Sequence, residues 1–572
     1  MIAQGTPRRL RFAVMCNTLV LQQWQHDAIE SLLSRGEAEP VLLILKQEDL
    51  SPKPGLLRRI VRYPWRKLLF RKYYQYFFRP GSFRAVSADE QLGGLPRIRC
   101  KTALKGKYSE YFSLEDVDTI RSHRPDFILK FGFGIIRGEI LESASYGIWS
   151  FHHGDEQKYR GIPPAFYEIL YQDNKTGTIL QRLTGTLDGG IILRKGYFPT
   201  INHSWSANLD QAIRLSVHWP ADVCHEIVTQ NTFPADTQAQ MPAAPVFHEP
   251  ENATLLIFLF RMFYNKLRFH FLEVFTAENW RIGIVRTRAA DLLSEVTFSL
   301  DGKAVDWLSA SGPDQYYADG FIVKEQSRQL LVFEDYSYRR HKATLSGVWY
   351  NERDYSFSAP FTLLNEDWHL SYPFLFRDGN QLWCIPESLQ QNSIMLYRYD
   401  EATNRFLYHS TLIEGVAAAD PTLVLHQHHY YLFFTSGRAT NTELQIWHSA
   451  SLSGPFEPHE LNPVKANISN ARPAGPFFSV DGKLFRPAQD CSRTYGGRVI
   501  INEVKLLTES EFLELPVTSL NPPGGYDGLH TISFSGDYLC FDAKKLVFSP
   551  ASALWQIRRR LGMVKPHKPI RE

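Results

Sequence analysis

YGIWSFHHGDEQKYRGIPPAFYEILYQDNKTGTILQRLTGTLDGGIIL, residues 146–193, is the most informative stretch of the 572-residue chain. Its first apolar residues predict a strand over 147–151, and His152 directly follows that strand. Asp188 stands 36 residues later, in a turn flanked by glycines. A histidine at a strand end and a carboxylate on a neighbouring turn can act as an acid–base pair, although single residues of either type are often structural.

The residues before this stretch alternate strand and helix patterns. Short apolar runs predict strands at 10–15, 40–45 and 127–131, and helical patterns cover 22–34, 114–122 and 138–143. This alternation predicts an α/β domain over residues 1–231, with a Rossmann-like parallel sheet that binds ligands at the carboxyl ends of its strands. Because no Gly-x-Gly-x-x-Gly opens the first helix, a dinucleotide is not expected.

The chain changes character after residue 231. Residues 232–275 are interpreted as a Pro- and Ala-rich linker and an amphipathic helix, since the apolar run 255–263 and its continuation are interrupted by Arg261, Asn265 and Lys266. That run is too short and too polar to span a bilayer, so no transmembrane segment is expected. Residues 551–572 are interpreted as a basic C-terminal tail.

Residues 276–550 repeat one pattern of short strands. The repeats start with "ADGFIV" at Ala318, "SYPFLF" at Ser371, "ADPTLV" at Ala419, "RPAGPFF" at Arg472 and "DGLHTISF" at Asp527. Their starts lie 53, 48, 53 and 55 residues apart, and an aromatic-rich strand follows each of them. Regular spacing near fifty residues is typical of propeller blades, so five units predict a five-bladed β-propeller.

Charge is nearly balanced, with 63 Lys and Arg against 60 Asp and Glu. A net charge of +3 is too small for a general electrostatic hold on nucleic acid, which is not expected as a partner. The one basic cluster, residues 58–84, interleaves nine Arg and Lys with nine aromatic residues. It is interpreted either as a peripheral membrane contact or as a helical insertion whose aromatic face packs inward.

The cysteine pattern and the N-terminus indicate a cytoplasmic protein. Six scattered cysteines form no close pair, which argues against a disulfide framework and against a zinc knuckle. The first apolar run is broken by Asn17 and Gln22 and is too short for a secretory signal.

Residues 146–193 resemble the folate-dependent formyltransferases, a family that includes methionyl-tRNA and sugar N-formyltransferases. The family's Tyr-Arg-Gly falls on Tyr159, Arg160 and Gly161, and counting back places its catalytic histidine on His152. Its Leu-Asp-x-Gly turn falls on Leu187, Asp188 and Gly190. The segment "RPDFILKFGFG", from residue 124, resembles the strand whose loop helps to hold the folate, which implies folate contacts at Phe131, Gly132 and Gly134.

The resemblance implies an enzyme that moves a formyl group from 10-formyltetrahydrofolate, as co-substrate, to an amine. His152, Asp188 and Ser150 would be catalytic, with Ser150 standing where the family has an asparagine that stabilises the oxyanion. His153 and Asp155, together with the Tyr-Arg-Gly residues, would contact the substrate. Adjacent histidines on an extended chain point to opposite faces, so no metal site is expected. The acceptor is interpreted as an amino sugar, nucleotide-linked or in a glycan. The alternative is a catalytically silent scaffold.

The predicted propeller resembles arabinanase-type glycoside hydrolases and the N-terminal propeller of glucosamine inositolphosphorylceramide transferases. The second resemblance rests on "SYPFLFRDGNQLWCIPES", residues 371–388. Four carboxylates, Asp319, Glu387, Asp420 and Asp490, occupy comparable blade positions. A pair of them could hydrolyse a glycosidic bond, or the domain could bind a glycan without catalysis. The predicted architecture is therefore a multidomain α/β plus all-β protein, with a formyltransferase-type sheet followed by a five-bladed propeller.

Overall fold

The computed structural model describes residues 9–47, 64–106, 108–186, 189–230, 233, 244–310, 312, 314–325, 328–436 and 439–549. Asp188, the predicted tail 551–572 and residues 58–63 of the basic cluster lie outside these ranges. The chain divides into two compact units, Met1–Leu267 and Arg268–Glu572. None of the helices in these ranges is long and apolar enough to cross a membrane.

A seven-stranded sheet forms the centre of the first unit. Its strands along the chain are β1 (Leu10–Cys16), β2 (Ala38–Lys46), β3 (Arg97–Cys100), β4 (Phe127–Lys130), β5 (Ile148–His152), β6 (Lys175–Arg182) and β7 (Ile191–Pro199). Their order across the sheet is β7-β6-β5-β4-β1-β2-β3. Strands β1 to β5 pair in parallel, as the alternating pattern predicts, whereas β6 runs antiparallel to both neighbours.

Helices cover both faces of this sheet. They are α1 (Gln23–Ser34), α2 (Leu68–Tyr76), α3 (Leu114–Ser122), α4 (Trp205–Arg214), α5 (Trp219–Gln230) and α6 (Asn252–Phe275). Serine caps start two of them, since the Ser113 and Ser204 side chains accept from the third backbone N–H that follows. The helix predicted over 138–143 is only a 3-10 turn, Glu139–Glu142, because Gly138 at φ 84° does not continue a helix.

Shorter elements complete the unit. Single helical turns are Asp89–Leu92 and Tyr167–Leu170, with 3-10 turns at Trp65–Lys67 and Gly81–Phe83. Short strands are Val20–Gln22, Ala85–Ser87, Ala103–Lys105, Ser109–Tyr111, Ile135–Arg137, Arg160–Gly161 and Val246–Phe247.

Alternation along the strands separates two cores. On one face, Met15, Ile128 and Ile148 pack with Val117 and Ile120 of α3. The second core contains the large aromatic residues Trp24, Phe166, Trp205 and Phe258. Because side chains of a strand alternate between faces, neighbouring residues of β5 belong to different environments.

The second unit consists mostly of antiparallel sheet, in five groups of strands. Sheet I holds Gln315–Glu325, Arg328–Ser337, Lys342–Asn351, Ser356–Phe357 and Phe361–Leu364. Sheet II holds Ser371–Asp378, Gln381–Glu387, Ser393–Asp400 and Arg405–Glu414. Sheet III holds Ala418–His426, His429–Ser436, Glu443–Ser449, Glu457–Pro458 and Lys465–Ala466. Sheet IV holds Thr297–Phe298, Phe478–Val480, Lys483–Asp490, Arg498–Leu507 and Phe512–Leu520. Sheet V holds Thr276–Arg286, Val305–Leu308, Ile532–Ser535 and Tyr538–Phe548.

Strands distant in sequence meet where the second unit begins and ends. Thr276–Arg286 pairs along its whole length with Tyr538–Phe548, and Thr297–Phe298 pairs with the end of Phe512–Leu520. The first strand of sheet I contacts both sheet V and sheet II. These pairings tie the start of the unit to its end. Besides the end of α6, which extends to Phe275, the helical elements of this unit within the described residues are the helical turn Ala289–Leu292 and the 3-10 turn Leu389–Gln391.

Candidate functional site

A row of three polar side chains crosses the sheet of the first unit near its carboxyl edge. Ser150 of β5 lies opposite Lys130 of β4 and opposite Gln181 of β6. Residues paired in this way share a face of the sheet, on strands about 4.8 Å apart. His152, two residues after Ser150, ends β5 on the same face. The predicted catalytic Ser150 and His152 therefore stand beside two polar groups that the sequence analysis did not select.

Lys130 is the most unusual member of this row. Burial lowers its pKa to about 8, and the nearby Lys46 acts in the same direction although Glu110 opposes it. Glu110 itself is buried, where it binds Nζ of Lys46 at 2.6 Å and the backbone N–H of Gly134 at 2.8 Å. The sequence shows Lys130 at the end of a predicted strand. Which side chains lie beside it depends on the order of the strands in the sheet.

His153 lies apart from His152, as the alternation predicts. Its ring packs against Trp24, at 5.2 Å between centroids, and against Phe151, at 5.9 Å. Burial, together with the charge of His152, lowers the pKa of His153 to about 3, so the ring is neutral. Neither ring nitrogen has a hydrogen-bond partner among the described residues. A role for His153 in substrate binding remains a prediction.

Asp155 is held by the protein itself. Nζ of Lys195, on β7, donates to Oε1 of Glu156 at 2.7 Å and to Oδ1 of Asp155 at 3.3 Å. Both carboxylates are buried. Burial alone would lower the pKa of Lys195, but its bonds to Glu156 and Tyr197 raise it overall. The sequence predicted that Asp155 contacts the substrate. In the structure its carboxylate pairs with Lys195.

The Tyr-Arg-Gly residues hold the loop in place. Residues Arg160–Gly161 pair in parallel with Val246–Phe247, and Arg160 Nη1 donates to the carbonyl of Ala244 at 3.0 Å. Gly161 has φ 97°, and a Cβ there would collide with the carbonyl oxygen of Phe247, so only glycine fits. The Tyr159 hydroxyl donates to Oδ2 of Asp173 at 3.3 Å. These contacts give the motif a structural role in addition to any contact with a substrate.

Glu168 is a residue that the sequence analysis missed. It is 1% exposed, and burial raises its pKa to about 8. Its Oε1 has no hydrogen-bond partner among the described residues. It lines a cavity with room for about one water molecule, together with His153, Gly154 and Tyr159. The sequence signal that could have identified Glu168 is its position within the otherwise apolar segment "AFYEIL", residues 165–170.

Gly154 lies between this cavity and His152. A Cβ built on it would lie 3.1 Å from Nε2 of His152 and 2.8 Å from the carbonyl oxygen of Tyr159. The absence of a side chain therefore lets the loop approach the histidine closely.

The residues predicted to contact folate pack closely against other parts of the protein. Phe131 packs edge-on against Trp24, with centroids 5.4 Å apart. A Cβ on Gly132 would lie 2.6 Å from Asn17, and one on Gly134 would lie 2.7 Å from Glu110. The side chain of Asn17 also accepts from the N–H of Phe133 at 2.9 Å. The loop after β4 is thus fixed to the loop after β1, while its contact with folate remains a prediction.

The structure describes the turn around Asp188 only before residue 187 and after residue 188. The N–H of Gly189 donates to the carbonyl of Thr186 at 3.3 Å, and the Thr184 hydroxyl donates to the carbonyl of Gly189 at 2.8 Å. A Cβ on Gly190 would collide with the side chain of Gln181. The flank of the turn therefore touches the polar row that contains Ser150.

The four predicted carboxylates of the second unit are all bound to protein groups. Asp420 binds Nε of Arg472 at 2.6 Å and Nε2 of Gln489 at 2.6 Å, and Glu387 accepts from the N–H of Asp420 at 3.0 Å. These groups are buried. Burial, followed by the charge of Asp420, raises the pKa of Glu387.

The other two carboxylates are bound in the same way. Asp319 accepts from the Thr531 hydroxyl at 2.6 Å and from the N–H of Tyr372 at 3.1 Å. Asp490 pairs with Nε of Arg498 at 3.0 Å.

Three groups of side chains bring potential metal ligands close together in the part of the chain that is described. They are His429, His448 and Glu509; His26, Asp27 and Glu30; and Asp319, His530 and Asp542. The His152 and His153 pair belongs to none of them.

Comparison with known proteins separates the chain into two parts with different relatives. The family "Glucosamine inositolphosphorylceramide transferase 1, N-terminal" matches residues 304–522. The rice (Oryza sativa subsp. japonica) protein of that name is 32% identical over 211 residues, which are 36% of this chain and 28% of that protein. The methionyl-tRNA formyltransferase of Bacillus mycoides strain KBAB4 is 31% identical over 110 residues, 19% of this chain and 32% of the relative. The chain thus spans about a third or less of these relatives' lengths.

Solved structures of both kinds are also similar to this chain. A sugar N-formyltransferase from Shewanella sp. FDAARGOS_354 covers 44% of this chain and 87% of its own, at 13% identity and a TM-score of 0.26. A family 117 glycoside hydrolase from Zobellia galactanivorans covers 47% of this chain and 91% of its own, at 10% identity and a TM-score of 0.31. By sequence, homologues of the chain include formyltransferases in the N-terminal part and glucosamine inositolphosphorylceramide transferases in the C-terminal part, as the two resemblances predicted.

Proposed function

We propose that the first unit transfers a formyl group from 10-formyltetrahydrofolate to the amine of an amino sugar. The observation that carries this proposal is the polar row Lys130–Ser150–Gln181, with His152 on the same face at the carboxyl edge of the sheet. His152, which the formyltransferase resemblance selects, ends β5 at this edge, and the N-terminal part of the chain has formyltransferase relatives. Both observations point to the same chemistry.

The row supplies the hydrogen-bond donors that this chemistry requires. As the amine attacks the formyl carbon, negative charge develops on the formyl oxygen, and the bond from that carbon to the folate nitrogen then breaks. Protonated His152 and the Ser150 hydroxyl donate to the oxygen. Ser150 donates only one hydrogen bond where the family has an amide, and the Gln181 amide beside it supplies a further donor. Asp188 accepts the proton that the amine loses and returns it to the folate nitrogen as the bond from that nitrogen to the formyl carbon breaks.

Two features support a small amino sugar as the acceptor. The charge of the chain is nearly balanced, which does not favour a large polyanion such as tRNA. The second unit has relatives whose name contains an amino sugar, although the name describes those proteins. We place the reaction in the cytoplasm, since all six cysteines are buried free thiols that form no disulfide.

Ligand binding and turnover test this function together. We expect 10-formyltetrahydrofolate to raise the melting temperature of the protein through binding linkage, and nucleotide-linked amino sugars to be formylated. His152→Ala and Asp188→Asn should each lower kcat by roughly a thousandfold or more, and the double variant should lose little beyond either single change. His153→Ala is the control and should be mild. A protein with no folate-dependent melting shift and no turnover would contradict the proposal.

We also propose that the five sheets of the second unit form a five-bladed propeller that binds a glycan without hydrolysing it. The support is that Asp319, Glu387, Asp420 and Asp490 are all engaged by protein donors, whereas a hydrolase keeps two carboxylates open to the glycosidic bond. We expect the full-length protein to bind immobilised glycans and to release no sugar from arabinan. Hydrolysis of arabinan that Glu387→Gln abolishes would overturn this assignment.

A further inference from the structure

Helix α6 packs on its unit along a narrow side only. Leu255 and Phe258 are buried in the aromatic core, where Phe258 stacks on Phe166 with centroids 4.1 Å apart. Asn265 continues the same side and donates to the carbonyl of Asn202 at 3.2 Å. Leu259 and Met262 are partly buried against the same core. The packed side covers less than half of the circumference of the helix, and most of the remaining residues are exposed.

The opposite side of α6 carries large apolar residues in contact with solvent. We call this set the apolar stripe: Leu256, Ile257, Phe260, Phe263, Tyr264 and Leu267. Phe260 is 71% exposed and Phe263 is 60% exposed. At roughly 100° per residue, the stripe covers roughly a third of the helix, centred opposite Leu255 and Phe258. A continuous exposed apolar surface of this kind marks an interaction site.

Cationic residues border the apolar stripe. At roughly 100° per residue, Arg261 and Arg268 fall on one side of it and Lys266 on the other. All three are exposed, although Arg261 also donates to the carbonyl of Leu170. The two carboxylates that precede the helix, Glu249 and Glu251, already face Arg71 and Arg66. The border of the stripe is therefore positively charged.

The basic cluster of the sequence lies next to the start of this helix. The side chain of Asn252 accepts from the N–H of Leu69 at 2.9 Å and donates to the carbonyl of Trp65 at 2.9 Å. Both Trp65 and Leu69 have exposed side chains. The inward-packing interpretation of residues 58–84 thus holds for Phe70 and Phe78, whereas several of their neighbours face solvent.

We propose that α6 lies in the interface of an anionic lipid bilayer, with the apolar stripe inserted and its bordering cations at the headgroups. An apolar face bordered by Lys and Arg is the pattern of helices that lie in the plane of such an interface. The same cations argue against a second copy of this chain as the occupant, because two stripes in contact would bring like charges together. This inference is independent of the proposed chemistry.

Sedimentation of the full-length protein with vesicles tests the inference. We expect binding to vesicles of phosphatidylcholine mixed with phosphatidylglycerol, and much weaker binding to pure phosphatidylcholine. The double variant Phe260→Asp/Phe263→Asp should reduce binding by at least about tenfold, since the charges oppose insertion of the stripe. Lys266→Gln/Arg268→Gln should also reduce binding by about tenfold, but only on the anionic vesicles.

A control uses Val296→Asp, which places one negative charge on another exposed apolar residue and should leave binding unchanged. Circular dichroism should be the same for all variants, because every substituted side chain is exposed. Equal vesicle binding by the wild type and the Phe260→Asp/Phe263→Asp variant would overturn the proposal. So would the absence of vesicle binding together with a dimer that this variant dissociates.

Discussion

The burial of Glu168 makes the stability of the first unit depend on pH. Its pKa is about 8 in the folded protein, against an ordinary value of 4.5, because the buried carboxylate is poorly solvated. Between these two values the folded state binds more protons than the unfolded state. The contribution of Glu168 to stability is therefore complete below about pH 4.5 and is lost as the pH rises through about 8.

Replacing Glu168 by Gln should remove this dependence. Near pH 8 the variant should be more stable than the wild type by a few kcal/mol, since each unit of pKa shift corresponds to about 1.4 kcal/mol. Near pH 5 the two proteins should differ little, because the wild-type carboxyl is then protonated. Urea unfolding at both pH values measures the difference. A free-energy gap between the two proteins that does not change with pH would contradict a buried, protonated Glu168.

Gln181 should matter for turnover more than for binding. If its amide complements Ser150, Gln181→Leu should lower kcat by about a hundredfold and change KM little, because the charge that it stabilises exists only in the transition state. Adding Ser150→Asn to that variant should restore part of the loss. Gln75→Leu, on the exposed surface of α2, serves as the control. A Gln181→Leu enzyme with unchanged kcat would remove this residue from the proposed mechanism.

Among the elements, the hairpin β6–β7 determines the shape of the loop after β5. Strand β6 pairs with β5 and places Gln181 beside Ser150, while β7 supplies Lys195 to Asp155 and Glu156. One hairpin therefore completes the polar row and places one ammonium group against the two carboxylates that follow His152. The loop keeps its position because these buried charges have a partner.

Lys195→Met should destabilise the protein. Two buried carboxylates would be left without their cation, and breaking such a buried pair costs about 3 kcal/mol or more. Lys195→Arg, which keeps the charge, should lose much less. Thermal and urea unfolding of the three proteins give the comparison. Equal stability of the Met variant and the wild type would show that water can replace the ammonium group.

Across the whole second unit, buried polar groups connect sheets that are far apart in sequence. Arg472, which precedes sheet IV, binds Asp420 of sheet III and lies 3.6 Å from Glu387 of sheet II. Oδ2 of Asp542, on sheet V, accepts from the N–H of Asp319 on sheet I at 3.0 Å. Asp319 and Asp420 both have φ near 50°, which turns their N–H groups toward these acceptors. Gln489 of sheet IV donates to Asp420, and the N–H of Tyr372 on sheet II donates to Asp319, so the polar centre links all five sheets.

Removing Arg472 should destabilise the entire unit. Arg472→Met leaves Asp420 and Glu387 buried without their cation, and we expect a loss of about 3 to 5 kcal/mol. Hydrogen exchange should show faster exchange in strands of sheets II, III and IV together. Arg405→Met, at an exposed position of sheet II, is the control and should have little effect. Faster exchange in sheet III alone would mean that the polar centre does not connect the sheets.

The sequence alone determined the features that depend on local pattern. Runs of apolar residues located β1 and β5 to within one residue, and the repeat starts located the first strands of sheets I, II and III, since periodicity and turn residues act over a few positions. The apolar run 147–151 placed His152 directly after a strand, and the structure makes His152 the last residue of β5. The tertiary structure decided which partners these residues meet: Lys130 and Gln181 beside Ser150, Lys195 on Asp155, and Arg472 on Asp420. Each of these contacts depends on which strands lie side by side. Strand order is selected by burial of the whole core, and no local stretch of sequence carries that information.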